Sequence, residues 1–359
     1  MHGTLRFILA ALVIYSHLGQ NILQLNPGIC AVVVFYMLSG FVVTHLRFKY
    51  FPPEQPGSLR GFYTERFLRI YPLYFVLLLV AGVFLFATGY KQPYLSAGNI
   101  LSNLLIIPLN YYMFTDGTLF ASTVMAAPME LRPRCVLPPA WSLGAELQAY
   151  LLLPLILHSE RLKWVFGSLS LGVFLLATCG IINGEIWGYR LLPGTLFFFL
   201  VGACLCKTVR YRDTCDKFDS LFPKLAWGGV AWGLLLIVAV RYFINQRLDH
   251  YTAEGIVGFL IGFPVVRWLY GMPERQAKSL HIPFDKEMGN LSYGVYLIHF
   301  PIIWFLDWLQ WKLPVIGQFL LVLVLSTLIS VLASGTIERA VWPLRQGMTQ
   351  SPKKSANML

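Results

Sequence analysis

The first twenty residues place two ionisable side chains, Arg6 and His17, at the two ends of an apolar stretch. Such groups are costly inside a hydrocarbon layer, so each is a candidate for function. They are eleven residues apart. Eleven steps of about 100° return to nearly the same helix face, roughly 16 Å further along the axis. One face would then carry a cation near one membrane surface and an imidazole in the opposite half, where imidazole can serve as a general base. On spacing alone, a helix-end arginine and a histidine bonded to a neighbouring helix account for the pair equally well.

A second constellation is Pro-Pro-Ala-Trp-Ser-Leu-Gly-Ala-Glu, residues 138–146. It puts Glu146 about two turns into another apolar run, at about the depth of His17, with Tyr150 one turn further on the same face. A carboxylate beside an imidazole can orient its N–H and stabilise its cation; a structural polar pair, or Glu146 bonded to a Tyr or Ser, is the competing explanation. Ser39, in Leu-Ser-Gly-Phe, and His299, in Tyr-Leu-Ile-His-Phe-Pro, also fall within apolar runs. Helix packing explains both: Gly40 permits close approach, and Pro301 can free a carbonyl for His299. Arg66 and Arg69, three apart in Phe-Tyr-Thr-Glu-Arg-Phe-Leu-Arg-Ile-Tyr-Pro, can share one face in the loop before the third apolar run. Paired guanidinium groups suit a phosphate-bearing ligand, although loop cations of a membrane protein look the same.

These residues need elements to hold them. The chain is 57% hydrophobic and 13% charged over 359 residues, about half the charged share of a soluble domain. The bilayer must solvate much of that surface. Apolar runs at about 4–19, 28–46, 70–89, 140–158, 164–182, 191–206, 225–243, 252–270, 289–311 and 313–335 predict an all-α membrane protein, with about ten transmembrane helices in one bundle and no soluble domain. Residues 100–113, interrupted by Asn103, Pro108 and Asn110, read as an interfacial or re-entrant segment. Arg6 followed by an apolar stretch could open a signal peptide, but no small-residue cleavage site follows, and 4–19 reads as the first span.

With the N-terminus in the cytoplasm, 20 of the 28 Lys and Arg fall in inside loops and 7 in outside loops. That bias supports cytoplasmic termini. It also explains the net charge of +11 without nucleic acid, since the cations sit in short loops between apolar runs. The expected organisation is a membrane domain over 1–345, with a longer outside loop or lid at 90–139, and a cytoplasmic tail at 346–359. The six cysteines suggest neither a disulfide framework nor a metal site.

Taken together, the chain resembles acyltransferase family 3, the integral-membrane O-acyltransferases that acylate bacterial envelope sugars, antibiotics and related acceptors. The resemblance rests on five segments in order: Leu5–His17, with the family's Arg-x10-His spacing; Val32–Val43; Phe62–Tyr74; Trp141–Pro154; and Leu291–Ile302. It implies ten membrane helices and an acyl-CoA donor, most often acetyl-CoA, with no metal. It implies His17 as the essential catalytic histidine, Arg6 as its required partner, Glu146 as the acid of the Trp-Ser-Leu motif, and Arg66 and Arg69 on the donor side. Ser39, Trp141, Tyr150 and His299 are placed along the substrate pocket. Gly144 and Ala145 depart from the polar or β-branched pair usual before the acid, a change expected to reshape the acceptor pocket.

The function so implied is transfer of an acyl group from cytoplasmic acyl-CoA to a hydroxyl of a carbohydrate acceptor, a cell-surface polysaccharide or lipid-linked glycan, in the bacterial inner membrane. Expected partners are membrane lipids and the acceptor, with further copies of the chain or envelope-biosynthesis proteins left open. A polytopic transporter or flippase for such an intermediate would also use intramembrane Arg, His and Glu. A different multi-span O-acyltransferase fold ranks lower, because it lacks the Arg-x10-His spacing.

Overall fold

The computed structural model describes residues 2–90, 96–114, 135–244, 250–271 and 284–349. Among them the fold is helical. The elements are α1 (His2–His17), α2 (Pro27–Tyr50), α3 (Ser58–Thr88), α4 (Ala97–Leu105), α5 (Ala140–Ile156), α6 (Glu160–Thr178), α7 (Leu192–Arg210), α8 (Lys217–Ile244), α9 (His250–Gly271), α10 (Asp285–Trp308) and α11 (Val315–Thr349). A 3-10 segment, Ile107–Phe114, follows α4, and a π-helical turn, Gly184–Arg190, precedes α7. Each of the ten apolar runs lies on its own helix, and residues 100–113 form α4 and the 3-10 segment. Among the described residues, six stretches are long and apolar enough to cross a membrane: α2, α3, α6, Gly184–Arg210, Ala253–Gly271 and Val315–Ile337. α1 and α5 are shorter apolar helices. Much of the expected lid, at 91–95 and 115–134, and the tail from 350 lie outside the described residues; α11 carries residues 346–349 as helix.

Sequence chemistry explains the main boundaries. Asn26 caps α2, its side chain accepting from the amides of Gly28 (2.9 Å) and Ile29 (3.3 Å), with Pro27 in the first turn, where its missing N–H costs nothing. Gly57 and Gly89, both at positive φ, bracket α3. The helix starts twelve residues before the apolar run at 70, so the Arg66–Arg69 segment is helix rather than the expected loop. The apolar run marks only part of the helix, whose first turns are held by Phe62 and Glu65, both buried against the bundle.

α2 and α7 form the buried centre. They cross where Gly40 meets the Phe199 carbonyl and Gly202 meets the Met37 carbonyl; a Cβ at either glycine would collide with backbone. Membrane helices associate through such close packing, because lipid offers no hydrophobic penalty for separation. α1 packs parallel to α10: Gly3 lies on the backbone of Asp285 and Gly289 at one end, and His17 meets His299 at the other. α2 packs parallel to α9, with Cys30 at Gly258 and Phe41 at Tyr270. Lys163 and Lys207 converge on buried Asp219 at 2.9 and 2.6 Å, and Lys163 also pairs with Asp216. This cluster joins the start of α6, the end of α7 and the start of α8. Cys30, Cys179, Cys204, Cys206 and Cys215 are free thiols.

Candidate active site

A cavity of about 300 Å³ opens between α1, α2, α3, α5, α10 and α11. At one end it is lined by Arg6, Arg66, Arg69 and Arg345; deeper in, by Ser39, Tyr36, Glu146 and Tyr150; and furthest from the arginines by Ser142 and Tyr296. A second cavity of about 350 Å³ adjoins it, sharing Arg6, Arg69, Val42 and Gly289, and adds His45, Tyr270, Lys286 and Asn290. Each volume reaches the lower range of small-ligand sites.

Helix geometry puts the arginines together. Arg66 and Arg69 are one turn apart near the start of α3, Arg6 is near the start of α1 and Arg345 near the end of α11. Glu65, 2% exposed, sorts them: it pairs with Arg66 at 2.5 Å and with Arg345 at 2.7 Å. Arg66 also lies over the Tyr150 ring at 5.8 Å. Arg6 makes no hydrogen bond or ion pair among the described residues. Spacing did not single out Arg345, because its position in the cavity depends on α11 returning beside α3.

Glu146 accepts hydrogen bonds from the hydroxyls of Ser39 and Tyr150 through one carboxylate oxygen. Among the described residues none of its hydrogen bonds reaches His17 directly. The reason is lateral: Glu146 faces α2 and the cavity, while His17 ends α1 against α10. Tyr36 lines the same cavity, is 3% exposed, and its hydroxyl has no partner among the described residues. Ser142 donates to the Pro139 carbonyl at 3.0 Å and meets the Tyr296 hydroxyl at 2.7 Å. The single hydroxyl hydrogen of Ser142 is thereby used, so Tyr296 is the donor between them.

His17 lies at the exposed end of α1, with its Nδ1 2.7 Å from Nε2 of His299 and the two rings stacked at 5.0 Å. His299 is fully buried, one turn beyond Tyr296 on α10. Its Nδ1 lies 3.3 Å from the Val295 carbonyl, which can only accept. With neutral rings, His299 therefore carries its proton on Nδ1, His17 donates from Nδ1, and Nε2 of His17 keeps a lone pair. Pro301 follows two residues later, inside the helix. His299, and not Glu146, is the side chain in direct contact with His17.

Trp141 stands outside the cavity lining. Its ring underlies the Arg190 guanidinium at 4.4 Å and meets Tyr189 edge-on. Gly144 also faces away from the cavity: a Cβ there would come within 3.0 Å of the Ile106 carbonyl and of Asn110. Gly144 thus seats the 3-10 segment against α5, and Asn110 completes that seat by donating to the Trp141 and Arg190 carbonyls.

Outside the spans, Asp285 bounds the mouth of the second cavity. Burial would raise its pKa, but the amide and hydroxyl of Thr4, both at 2.8 Å, hold it below the ordinary carboxylate range.

The profile of the acyltransferase-domain family matches residues 4–335, which include the cavity residues from Arg6 to Tyr296. The chain belongs to acyltransferase family 3. This membrane acyltransferase is 32% identical over 311 residues to the acyltransferase MdmB of Streptomyces mycarofaciens, covering 80% of the chain and 72% of that protein. It is 22% identical over 317 residues to the peptidoglycan O-acetyltransferase OatA of Listeria monocytogenes, covering 83% of the chain and 48% of that protein, so the acyltransferase spans about half the length of that relative. It is 25% identical over 352 residues to nodulation protein 10 of Rhizobium leguminosarum, with 87% of both chains covered. No solved structure matches the acyltransferase.

Proposed function

We propose that the protein transfers an acyl group, most often acetyl, from cytoplasmic acyl-CoA to a hydroxyl of a carbohydrate acceptor. The acceptor is a cell-surface polysaccharide or lipid-linked glycan, reached from the outer side of the bacterial inner membrane. The observation that carries this reading is the course of the cavity. It begins among Arg6, Arg66, Arg69 and Arg345 and ends at Ser142 and Tyr296, one turn of α10 short of the His299–His17 pair. A donor with a phosphate-rich head and a long thin arm suits such a channel, charged at one end and apolar to neutral at the other.

In this reading the adjoining cavity, with Lys286, Tyr270 and His45, receives the nucleotide end, and Arg6 and Arg69 grip phosphate where the cavities meet. The acyl-pantetheine arm passes Glu146 and Tyr150. Tyr36 offers its unmet hydroxyl as a hydrogen-bond donor to a carbonyl of the arm or the thioester. Nε2 of His17 takes the proton of the acceptor hydroxyl. The hydroxyl oxygen attacks the thioester carbon, the carbon–sulfur bond breaks, and the proton passes to the departing CoA sulfur. His299 holds His17 in the tautomer that leaves Nε2 basic.

We also propose ten membrane crossings with both termini cytoplasmic. The parallel packing of α1 with α10 requires an odd number of crossings between them. The seven helices α2, α3 and α5–α9 supply it if α4 and the 3-10 segment do not cross. α4, with 9 residues, is about 14 Å long, under half of a hydrocarbon core.

The deciding experiment uses purified full-length protein in detergent with acetyl-CoA. Donor turnover lost in His17→Ala, with donor binding retained, and donor affinity weakened in Arg69→Ala, are the expected results. A folded wild type that binds no acyl-CoA would overturn the reading in favour of transport.

A further inference from the structure

A second cleft lies away from the site just described, between the end of α7, the start of α8 and the end of α9. Its volume is about 670 Å³. The three helix ends belong to the same side of the bundle, where Lys163 and Lys207 meet Asp219. Two prolines inside helices, Pro223 of α8 and Pro264 of α9, line it. A proline cannot donate to the carbonyl four residues back, and its ring keeps neighbouring backbone apart. The carbonyl that Pro264 leaves unbonded, that of Leu260, accepts the Trp227 indole N–H at 3.2 Å. This bond ties α8 to α9 about one turn deeper, and the cleft is the gap left open beyond it.

Its chemistry is two-sided. Arg212, Lys224 and Arg267 line it and are exposed. Among the described residues, Lys224 and Arg267 make no hydrogen bond or ion pair, and Arg212 uses only its Nε, towards the Thr208 carbonyl. No acid among the described residues lines the cleft. The nearest buried acid, Asp219, is committed to Lys163 and Lys207 and does not neutralise these cations. Apart from the hydroxyls of Thr208 and Ser220, the remaining walls are apolar, with buried Leu205 and Phe263, and Trp268 at 58% exposure. The flanks continue as exposed apolar surface, with Leu225 at 57% and Ile261 at 60%.

We propose that this cleft binds an anionic glycerophospholipid of the adjoining leaflet, the headgroup phosphate among Arg212, Lys224 and Arg267 and an acyl chain along Phe263 and Trp268. A cationic recess at helix ends, opening on a lipid-facing surface, matches an amphiphile with one negative head. A soluble phosphate compound would leave the apolar walls without a partner.

The test places the full chain in phosphatidylcholine nanodiscs doped with phosphatidylglycerol and reads retained lipid by native mass spectrometry. Retention of phosphatidylglycerol should fall about fivefold for each cation changed to Gln, and about a hundredfold for R212Q/K224Q/R267Q together. Trp268→Ala should weaken it without altering the salt dependence. Arg161→Gln, a cation outside the cleft, should leave it unchanged. Size exclusion checks folding, and R267Q alone carries the test if the triple variant does not fold. Equal retention by wild type and the cleft variants overturns the proposal. So does an equal loss in R161Q, which would mean diffuse charge. Displacement of the lipid by inorganic phosphate or CoA at millimolar concentration would assign the cleft to a soluble ligand and overturn it as well.

Discussion

His17 donates a hydrogen bond through Nδ1 to Nε2 of His299, 2.7 Å away, because the Val295 carbonyl 3.3 Å from the other His299 nitrogen can only accept. The direction of the proton follows from one backbone atom. The lone pair left on Nε2 of His17 is the base that the proposed reaction requires, and His299 acts on the reaction only through His17.

His299→Ala should therefore lower kcat by between about 10²- and 10⁴-fold, the range for losing a base or its tautomer. The donor KM should stay near wild type. His299→Gln, which can accept the His17 proton, should restore part of kcat. A variant that raised KM alone would make His299 a pocket-wall residue instead.

Glu65 joins Arg66 to Arg345 from a position 2% exposed. Glu65→Gln removes the charge that fixes both guanidinium groups. It should raise the donor KM about tenfold, on the scale of a lost charge-assisted hydrogen bond. Arg345→Ala should do the same, and the effects should not add in the double variant. Steady-state kinetics with varied acetyl-CoA decides this.

Tyr36 combines a buried, unpartnered hydroxyl with a place on the cavity wall. An unmet buried polar group costs about 1–3 kcal/mol. Tyr36→Phe should raise the unfolding midpoint in detergent while lowering kcat. A less stable variant with full activity would mean that the hydroxyl serves the fold.

Gly40 touches the Phe199 backbone at the α2–α7 crossing. Gly40→Val should separate the central helices and cost about 1–3 kcal/mol or more, the range for overpacking. Ser39, one residue earlier, would move away from Glu146, so activity and stability should fall together. Thermal unfolding alongside donor turnover measures both.

Asp285 ties α10 to Thr4 of α1 and is held below its ordinary pKa. A depressed carboxylate adds stability that is present above the unfolded pKa, about 3.9 for Asp, and is lost as pH falls through the folded value. Wild type should thus lose stability below about pH 4 that Asp285→Asn has already lost at neutral pH. Parallel melting-temperature profiles for the two proteins would refute the link.

Much of this protein is set locally. The apolar runs, the Asn26–Pro27 cap and the glycines around α3 are properties of neighbouring residues, because helix period, capping and membrane partition act within a turn or two. The Arg6–His17 face follows from helix period alone, and the family resemblance from five ordered segments. The helical start of α3 was not legible, since buried contacts by Phe62 and Glu65 extend a helix whose apolar signal begins later. What each polar side chain touches was decided only by tertiary structure. Glu146 bonds Ser39 and Tyr150 rather than His17 because α5 packs on α2, not on α1. His299 reaches His17 because α10 returns parallel to α1, and Arg345 enters the cavity because α11 ends beside α3. Lipid exerts no pull on one partner over another, so these pairings come from which backbones can approach closely, and that is a property of the assembled bundle.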